Sequence, residues 1–260
     1  MHQPIVYGLV CFLGLLVGSF LTVVIYRLPQ KLLGNHAMNL AFPASHCPCC
    51  KTRLAWYENI PLLSFIIQAG RCRHCKTLIH WRYPLVEVFT TLLSLAVVFY
   101  SANVTNLVFS LLITWCLLPL MFIDLEHMLL PNGLNYMLLL IGVCGNLFFS
   151  VYASGASALL GALIGYGIFY ILALAYRKFR GIEGLGGGDI KLLAALGACF
   201  GWQRLPALIF FSAFLALLLI GSLMILNRFK SNQRFCFGPF LCVVAYAFLI
   251  FPEAYRLFLI

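Results

Sequence analysis

Thr105-Asn-Leu-Val-Phe-Ser-Leu-Leu-Ile-Thr-Trp-Cys-Leu-Leu-Pro-Leu-Met-Phe-Ile-Asp124 runs nineteen residues without a charge and then stops on an aspartate. A stretch of this length and composition matches the thickness of a bilayer core, which takes about 20 mostly apolar residues as a helix, the one single-segment structure that satisfies its own backbone in lipid. Comparable stretches occupy residues 5–26, 84–100, 134–152, 156–176, 190–202, 205–226 and 238–252, the 190–202 run being short enough to suggest a tilted or partly buried helix. The chain has 63% hydrophobic and 9% charged residues, too few charges to cover a soluble domain of 260 residues. The expected fold is therefore an all-α polytopic membrane protein with about eight transmembrane helices.

Orientation follows from the basic residues, because short cytoplasmic loops retain Lys and Arg. Alternate connections carry Arg27, Lys31, Lys51, Arg53, Arg71, Arg73, Lys76, Arg82, Arg177, Lys178, Arg180, Arg228, Lys230 and Arg234, with Lys191 just inside the sixth run. The opposite side carries only Arg204 and Arg256. This asymmetry puts both termini outside and the 28–83 loop in the cytoplasm, and it accounts for the formal charge of +10. The basic, aromatic-bearing loop carries no nucleic-acid module motif, so no nucleic-acid partner is expected. The N-terminal run is long, has no basic residue ahead of it and is followed by Arg27 and Lys31, so it reads as a retained helix rather than a cleaved signal. Three regions result: a first transmembrane helix (1–27), a small cytoplasmic zinc-type loop (28–83) and a membrane-embedded core (84–260).

The loop contains Cys47-Pro-Cys49-Cys50 and Cys72-Arg-His-Cys75. Two C-x-x-C turns at this spacing can aim four thiolates at one tetrahedral Zn²⁺, giving Cys47, Cys50, Cys72 and Cys75 as the ligands and Cys49 as a spare thiol. A segment this small has little core, and a metal would hold it folded. Disulfides are the alternative, disfavoured in a reducing cytoplasm. The six remaining cysteines lie in or beside apolar runs and read as small core residues.

Asp124 and Asp189 are the chain's two aspartates, and both fall on the predicted cytoplasmic face of different helices. Taken singly, each could simply face water or cap a helix; Asp189, closing Gly184-Leu-Gly-Gly-Gly-Asp189, resembles an N-cap. Taken together, they suit an aspartyl protease. Two close carboxylates share a proton, so one can activate water while the other donates to a scissile carbonyl. Lys191 could point at the pair or follow the charge asymmetry. Glu87 could face the same polar cavity or the interface, since an acid near lipid usually faces protein or water.

These motifs, in order, resemble those of the bacterial type IV prepilin peptidases, GxGD-type aspartyl proteases. The likeness runs through Gly14-Leu-Leu-Val-Gly18-Ser19-Phe20 to Tyr26-Arg27-Leu-Pro29, then the cysteine pairs flanking Trp56-Tyr-Glu58-Asn59-Ile60-Pro61. It continues in Asp124-Leu-Glu126-His127-Met-Leu-Leu-Pro131-Asn132 and in Gly186-Gly187-Gly188-Asp189. The resemblance implies cleavage of the short basic leader of prepilins or pseudopilins at the cytoplasmic face of the bacterial inner membrane, with Asp124 and Asp189 in the catalytic positions. It also implies a zinc loop at Cys47, Cys50, Cys72 and Cys75, and methylation of the new N-terminus with S-adenosylmethionine. For that cofactor, Glu58, Asn59 and Gly70 are the candidates, with loop capping and a tight knuckle turn as their structural alternatives. Cys49 departs from the family pattern. Two other functions are kept beside this one: an ion-coupled transporter and a zinc-dependent scaffold for pilus or secretion assembly.

Overall fold

The computed structural model describes residues 4–34, 39, 40, 42, 44–181, 186–226 and 235–251. Gly184, Arg228, Lys230, Arg234 and Arg256, used above, lie outside the described residues. Among those residues the chain is helical, with no strand beyond two isolated bridges in the cysteine loop. It divides into two units, residues 1–101 and 102–260.

The first unit contains α1 (Pro4–Leu32), the cysteine loop with a 3₁₀ turn (Trp56–Asn59) and α2 (Leu63–Ile67), and α3 (Arg82–Tyr100). Helices α1 and α3 pack tightly. Gly14 and Gly18 make this possible: a Cβ at Gly18 would lie 2.8 Å from the Glu87 Cα, and one at Gly14 would lie 2.9 Å from the Thr91 Cα. Small residues four apart on one face let two membrane helices approach backbone to backbone, where lipid supplies no hydrophobic drive.

The second unit contains α4 (Val104–His127), α5 (Asn132–Phe149), α6 (Gly155–Arg180), α7 (Gly187–Phe200), α8 (Leu205–Ile225) and α9 (Gly238–Ile250). Local chemistry sets the ends of α4. The Asn103 side chain accepts from the Asn106 N–H at 2.8 Å to start it, and Met128 in the left-handed region (φ 52°) stops it. Ser154 caps α6 in the same way, and Gly181 (φ 70°) ends it.

Helix α7 is the centre of this unit. Every residue from Ile190 to Phe200 except Lys191 is buried, and α5, α6, α8 and α9 all pack on it. Gly161 of α6 and Gly197 of α7 meet at backbone contact, with no room for a Cβ on either. Asn146 of α5 then locks the far end of α7. Its Nδ2 donates to the Ala198 and Cys199 carbonyls at 2.8 Å each, while its Oδ1 accepts from the Tyr152 and Ala153 N–H groups. All four hydrogen bonds of a buried amide are thereby used, and two carbonyls that α7 itself leaves open are satisfied.

A helix stands at each of the eight apolar runs, but six are long and apolar enough to cross a membrane. The exceptions are α7, of 14 residues, and α9, of 13 within the described region. The 190–202 run stops early because Gly201 takes φ 81°, ending α7 before the bilayer thickness is reached.

Candidate aspartate centre and cysteine cluster

Asp124 lies in the last turn of α4, 5% exposed. The Gly238 backbone hydrogen-bonds its carboxylate, and one carboxylate oxygen, Oδ2, is buried with no partner. Gly238 opens α9 directly against that oxygen, where a Cβ would come within 2.6 Å of it. The close approach requires glycine.

Asp189 is in the first turn of α7, but it does not cap the helix. Gly186 is the N-cap, with no side-chain cap bond, and Asp189 stands three residues on. From there its carboxylate takes a hydrogen bond from the Gly186 backbone, as the third residue of a capping box does, and Oδ1 stays buried without a partner. The N-terminal end of a helix favours a negative charge, so the position suits an ionisable acid. Asp124 acts electrostatically on Asp189, and both act on Cys236 and Cys242 of the α9 segment, which places the two carboxylates in one site. Leu130 joins them sterically, since Cβ atoms built at Gly188 and Gly238 would both meet its side chain.

Two partners of this centre were not singled out from the sequence, Gly238 and Leu130. Phe237-Gly238-Pro239 opening an apolar run is a recognisable helix start, and Leu130 stands beside Pro131, but neither carries a chemical group that draws notice. Lys191 does not point at the pair: its Nζ donates to Asn132 Oδ1 at 2.8 Å and lies over the Tyr136 ring. Glu126 is exposed at the end of α4, 3.9 Å from His127 Nε2.

In the first unit, the Sγ atoms of Cys47, Cys50, Cys72 and Cys75 all lie within 4.8 Å of one another. Zn–S bonds of about 2.3 Å give a sulfur tetrahedron with edges of about 3.8 Å. The Cys47–Cys75 separation is 3.7 Å, so the four thiols fit a tetrahedral ion. The two turns are copies of one knuckle, Cys-x-x-Cys-Lys-Thr, a repeat legible in the sequence. In each, the first Cys N–H donates to the Thr carbonyl (Cys47 to Thr52, 3.0 Å; Cys72 to Thr77, 2.8 Å). The Lys, at φ 59° in both, donates back to the first Cys carbonyl at 2.9 Å. Hydrogen bonds from the side chain and backbone of Thr77 lower the Cys75 thiol to about 6, and Thr52 lowers Cys50 likewise, favouring the thiolates a metal needs. Cys49 is exposed and outside the cluster.

The loop candidates fall around a cavity of about 360 Å³ in the same unit. Glu58 and Asn59 line it. So does Glu87, which is buried and accepts the Leu62 N–H at 2.8 Å. Gly70 is not in the wall. In the left-handed region (φ 67°), it sits against the Phe65 ring and its carbonyl accepts from Ile79, two residues that are in the wall.

The family model for the bacterial peptidase A24 N-terminal domain matches residues 12–101, and that for the type IV leader peptidase family matches residues 111–221. Three similar proteins share the name prepilin leader peptidase/N-methyltransferase. That of Aeromonas hydrophila is 38% identical over 95% of this chain and 91% of its own length. The Pseudomonas aeruginosa protein is 38% identical over 93% and 89%, and the Klebsiella pneumoniae protein 43% over 79% and 90%. No solved structure matches the chain. With two acids converging from α4 and α7 and relatives aligned over nearly the whole length, the chain belongs to the type IV leader peptidase family.

Proposed function

We propose that this protein is a membrane aspartyl endopeptidase that removes the short basic leader of type IV prepilins or type II secretion pseudopilins and then methylates the new N-terminus. The observation that carries the first half is the pair Asp124 and Asp189, each with one oxygen buried and unpartnered in a shared site. Two such carboxylates hold one proton between them. The ionised partner takes a proton from water as the water oxygen attacks the scissile carbonyl carbon, and the protonated partner donates to the carbonyl oxygen. When the tetrahedral intermediate collapses, the C–N electron pair leaves with the amine, which takes the dyad's proton, while one hydroxyl of the intermediate re-forms the carbonyl and returns its proton to the dyad, leaving the pair again with one proton. The substrate presents its leader at the end of an apolar helix, and the peptide bond must unwind to reach the acids.

The reading sets this chemistry at the cytoplasmic face of a bacterial inner membrane with both termini periplasmic; the excess of Lys and Arg in alternate connections supports that orientation. One structural Zn²⁺, held by Cys47, Cys50, Cys72 and Cys75, would cross-link the 28–83 loop, which serves the methylation half, while 84–260 serves cleavage. S-adenosylmethionine, which supplies an electrophilic methyl group on a sulfonium, is the methyl donor that the relatives' N-methyltransferase name implies. The test is incubation of purified protein with a leader-bearing prepilin and the methyl donor, followed by mass spectrometry of the product N-terminus. A shortened chain carrying one added methyl is expected; uncut substrate would overturn the reading.

A further inference from the structure

Helix α2 turns its apolar face away from the protein. Leu63, Ile66 and Ile67, spaced i, i+3 and i+4, share that face, and it is bare, with Ile66 70% and Ile67 74% exposed. On the opposite side, Ser64, Phe65 and the following Gln68 line the cavity. Two more apolar side chains stand out nearby. Just past the end of α2, Arg71 and Leu78 pair in an antiparallel bridge that leaves Leu78 74% exposed. Trp81, 64% exposed, stacks on His80 one residue before α3. Exposed apolar surface rimmed by polar residues marks an interaction site.

Depth and charge say what covers this face. The 19 residues of α3 rise about 28 Å, against a hydrocarbon core of about 30 Å, so its first turn stands at the edge of the hydrocarbon. The Leu62 N–H, at the N-cap of α2, donates to Glu87 Oε2 at 2.8 Å, and Glu87 lies five residues, or about 7.5 Å, into α3. That bond holds the start of α2 beside the first turns of a membrane helix. Interfacial helices bury an apolar face at this level, about 5–10 Å into the boundary between headgroups and acyl chains. Trp81 is of the residue type that gathers there. The charge agrees: residues 28–83 carry seven Lys and Arg against one acid, Glu58, which is buried. Arg71, Arg73 and Lys76, all exposed, follow the apolar face directly. We propose that α2, with Leu78 and Trp81, is a membrane-docking element. Its apolar face enters the bilayer that α1 and α3 span, and Arg71, Arg73 and Lys76 meet the anionic phosphates of the lipid headgroups. One side of α2 then rests on lipid while the other forms a wall of the cavity, so the bilayer supports that wall.

A phospholipid with a photoactivatable diazirine in its acyl chain tests this on the full-length wild-type protein, reconstituted in vesicles of phosphatidylcholine mixed with phosphatidylglycerol. The carbene it generates reports hydrocarbon depth. Label is expected on Leu63, Ile66 and Ile67 at a level comparable to the exposed Leu92 of α3, and not on Lys51 or Arg53 of the first cysteine knuckle. Label on residues 63–67 no stronger than on residues 51–53 would overturn the proposal, as would α2 found cross-linked to residues 102–260 and shielded from lipid. Arg71→Gln tests the headgroup contact. It is expected to lower the label on α2 about fivefold in the mixed vesicles, the share of one basic residue near an anionic surface, and to leave it unchanged in phosphatidylcholine alone. Equal effects in both lipids would overturn that contact.

Discussion

Gly238→Ala is the sharpest test of how the aspartate centre is built. The added methyl would lie 2.6 Å from Asp124 Oδ2 and 3.2 Å from Leu130 Cδ1, whereas ordinary contact begins near 3.4 Å. Relief requires the carboxylate or the start of α9 to move by about 0.8 Å, and a misplacement of about 1 Å at a reacting group costs on the order of 10²-fold in rate. Asp124 cannot yield freely. It sits in a buried turn of α4, with the Gly238 backbone as its hydrogen-bond donor, so the shift also weakens that bond. Single-turnover leader cleavage by the variant in detergent should therefore fall by about 10²-fold. Zinc content, which the cysteine cluster of the first unit would set, should not change. Gly187→Ala is the matched control: it lies beside Asp189 in the glycine tract, but its Cβ would meet nothing within 4 Å. Cleavage by Gly238→Ala at the wild-type rate, or equal losses in both variants, would refute the view that α9 is fitted against Asp124.

Asp124→Asn and Asp189→Asn should each lower cleavage by about 10²–10⁴-fold, since each removes one half of a proton-sharing pair; a purified variant that cleaves fully would count against the dyad. Elemental analysis should find about one zinc per chain, and Cys50→Ser with Cys75→Ser should abolish it. Stripping the metal with a chelator should remove N-terminal methylation before it affects leader cleavage, because the cysteine cluster belongs to the first unit and both aspartates to the second; simultaneous loss of both would contradict the proposed division of the two activities. Asn146→Ala should lower thermal stability by about 3 kcal/mol or more, because the Ala198 and Cys199 carbonyls and the Tyr152 and Ala153 N–H groups all lose their buried partner.

What the sequence could reveal depended on whether a property is local. Apolar runs are local, and a helix stands at each of the eight read from composition. Rarity singled out Asp124 and Asp189, and the C-x-x-C spacing singled out four thiols that do converge. Pairings across the fold were not legible. Nothing in Leu62 announces that its N–H will meet Glu87, and nothing in Gly238 announces Asp124 as a neighbour, because both depend on how distant segments pack. The N-cap reading of Asp189 missed for a related reason. In a run of glycines any residue can open the helix, so the sequence does not say where the first turn starts, and it starts at Gly187.

The shortness of α7 bears on where cleavage happens. Fourteen residues rise about 21 Å, against a hydrocarbon core of about 30 Å, so α7 alone is too short to span it. Asn146 fixes the far end. It ties the last turn of α7 to Tyr152 and Ala153 in the turn between α5 and α6, while at the other end Gly188 meets Leu130 in the turn between α4 and α5, so both ends of the short helix are fixed by the connections of its neighbours. Lys191 fits this geometry: its long side chain reaches outward to Asn132, the first residue of α5, carrying its charge toward the end of that helix. The acids stand at that second end, in the last turn of α4 and the first turn of α7, each with a buried carboxylate oxygen. In the proposed cleavage, a scissile carbonyl still bonded within a helix is not free to meet the dyad, so the leader junction must unwind before the bare oxygens Asp124 Oδ2 and Asp189 Oδ1 can act on it.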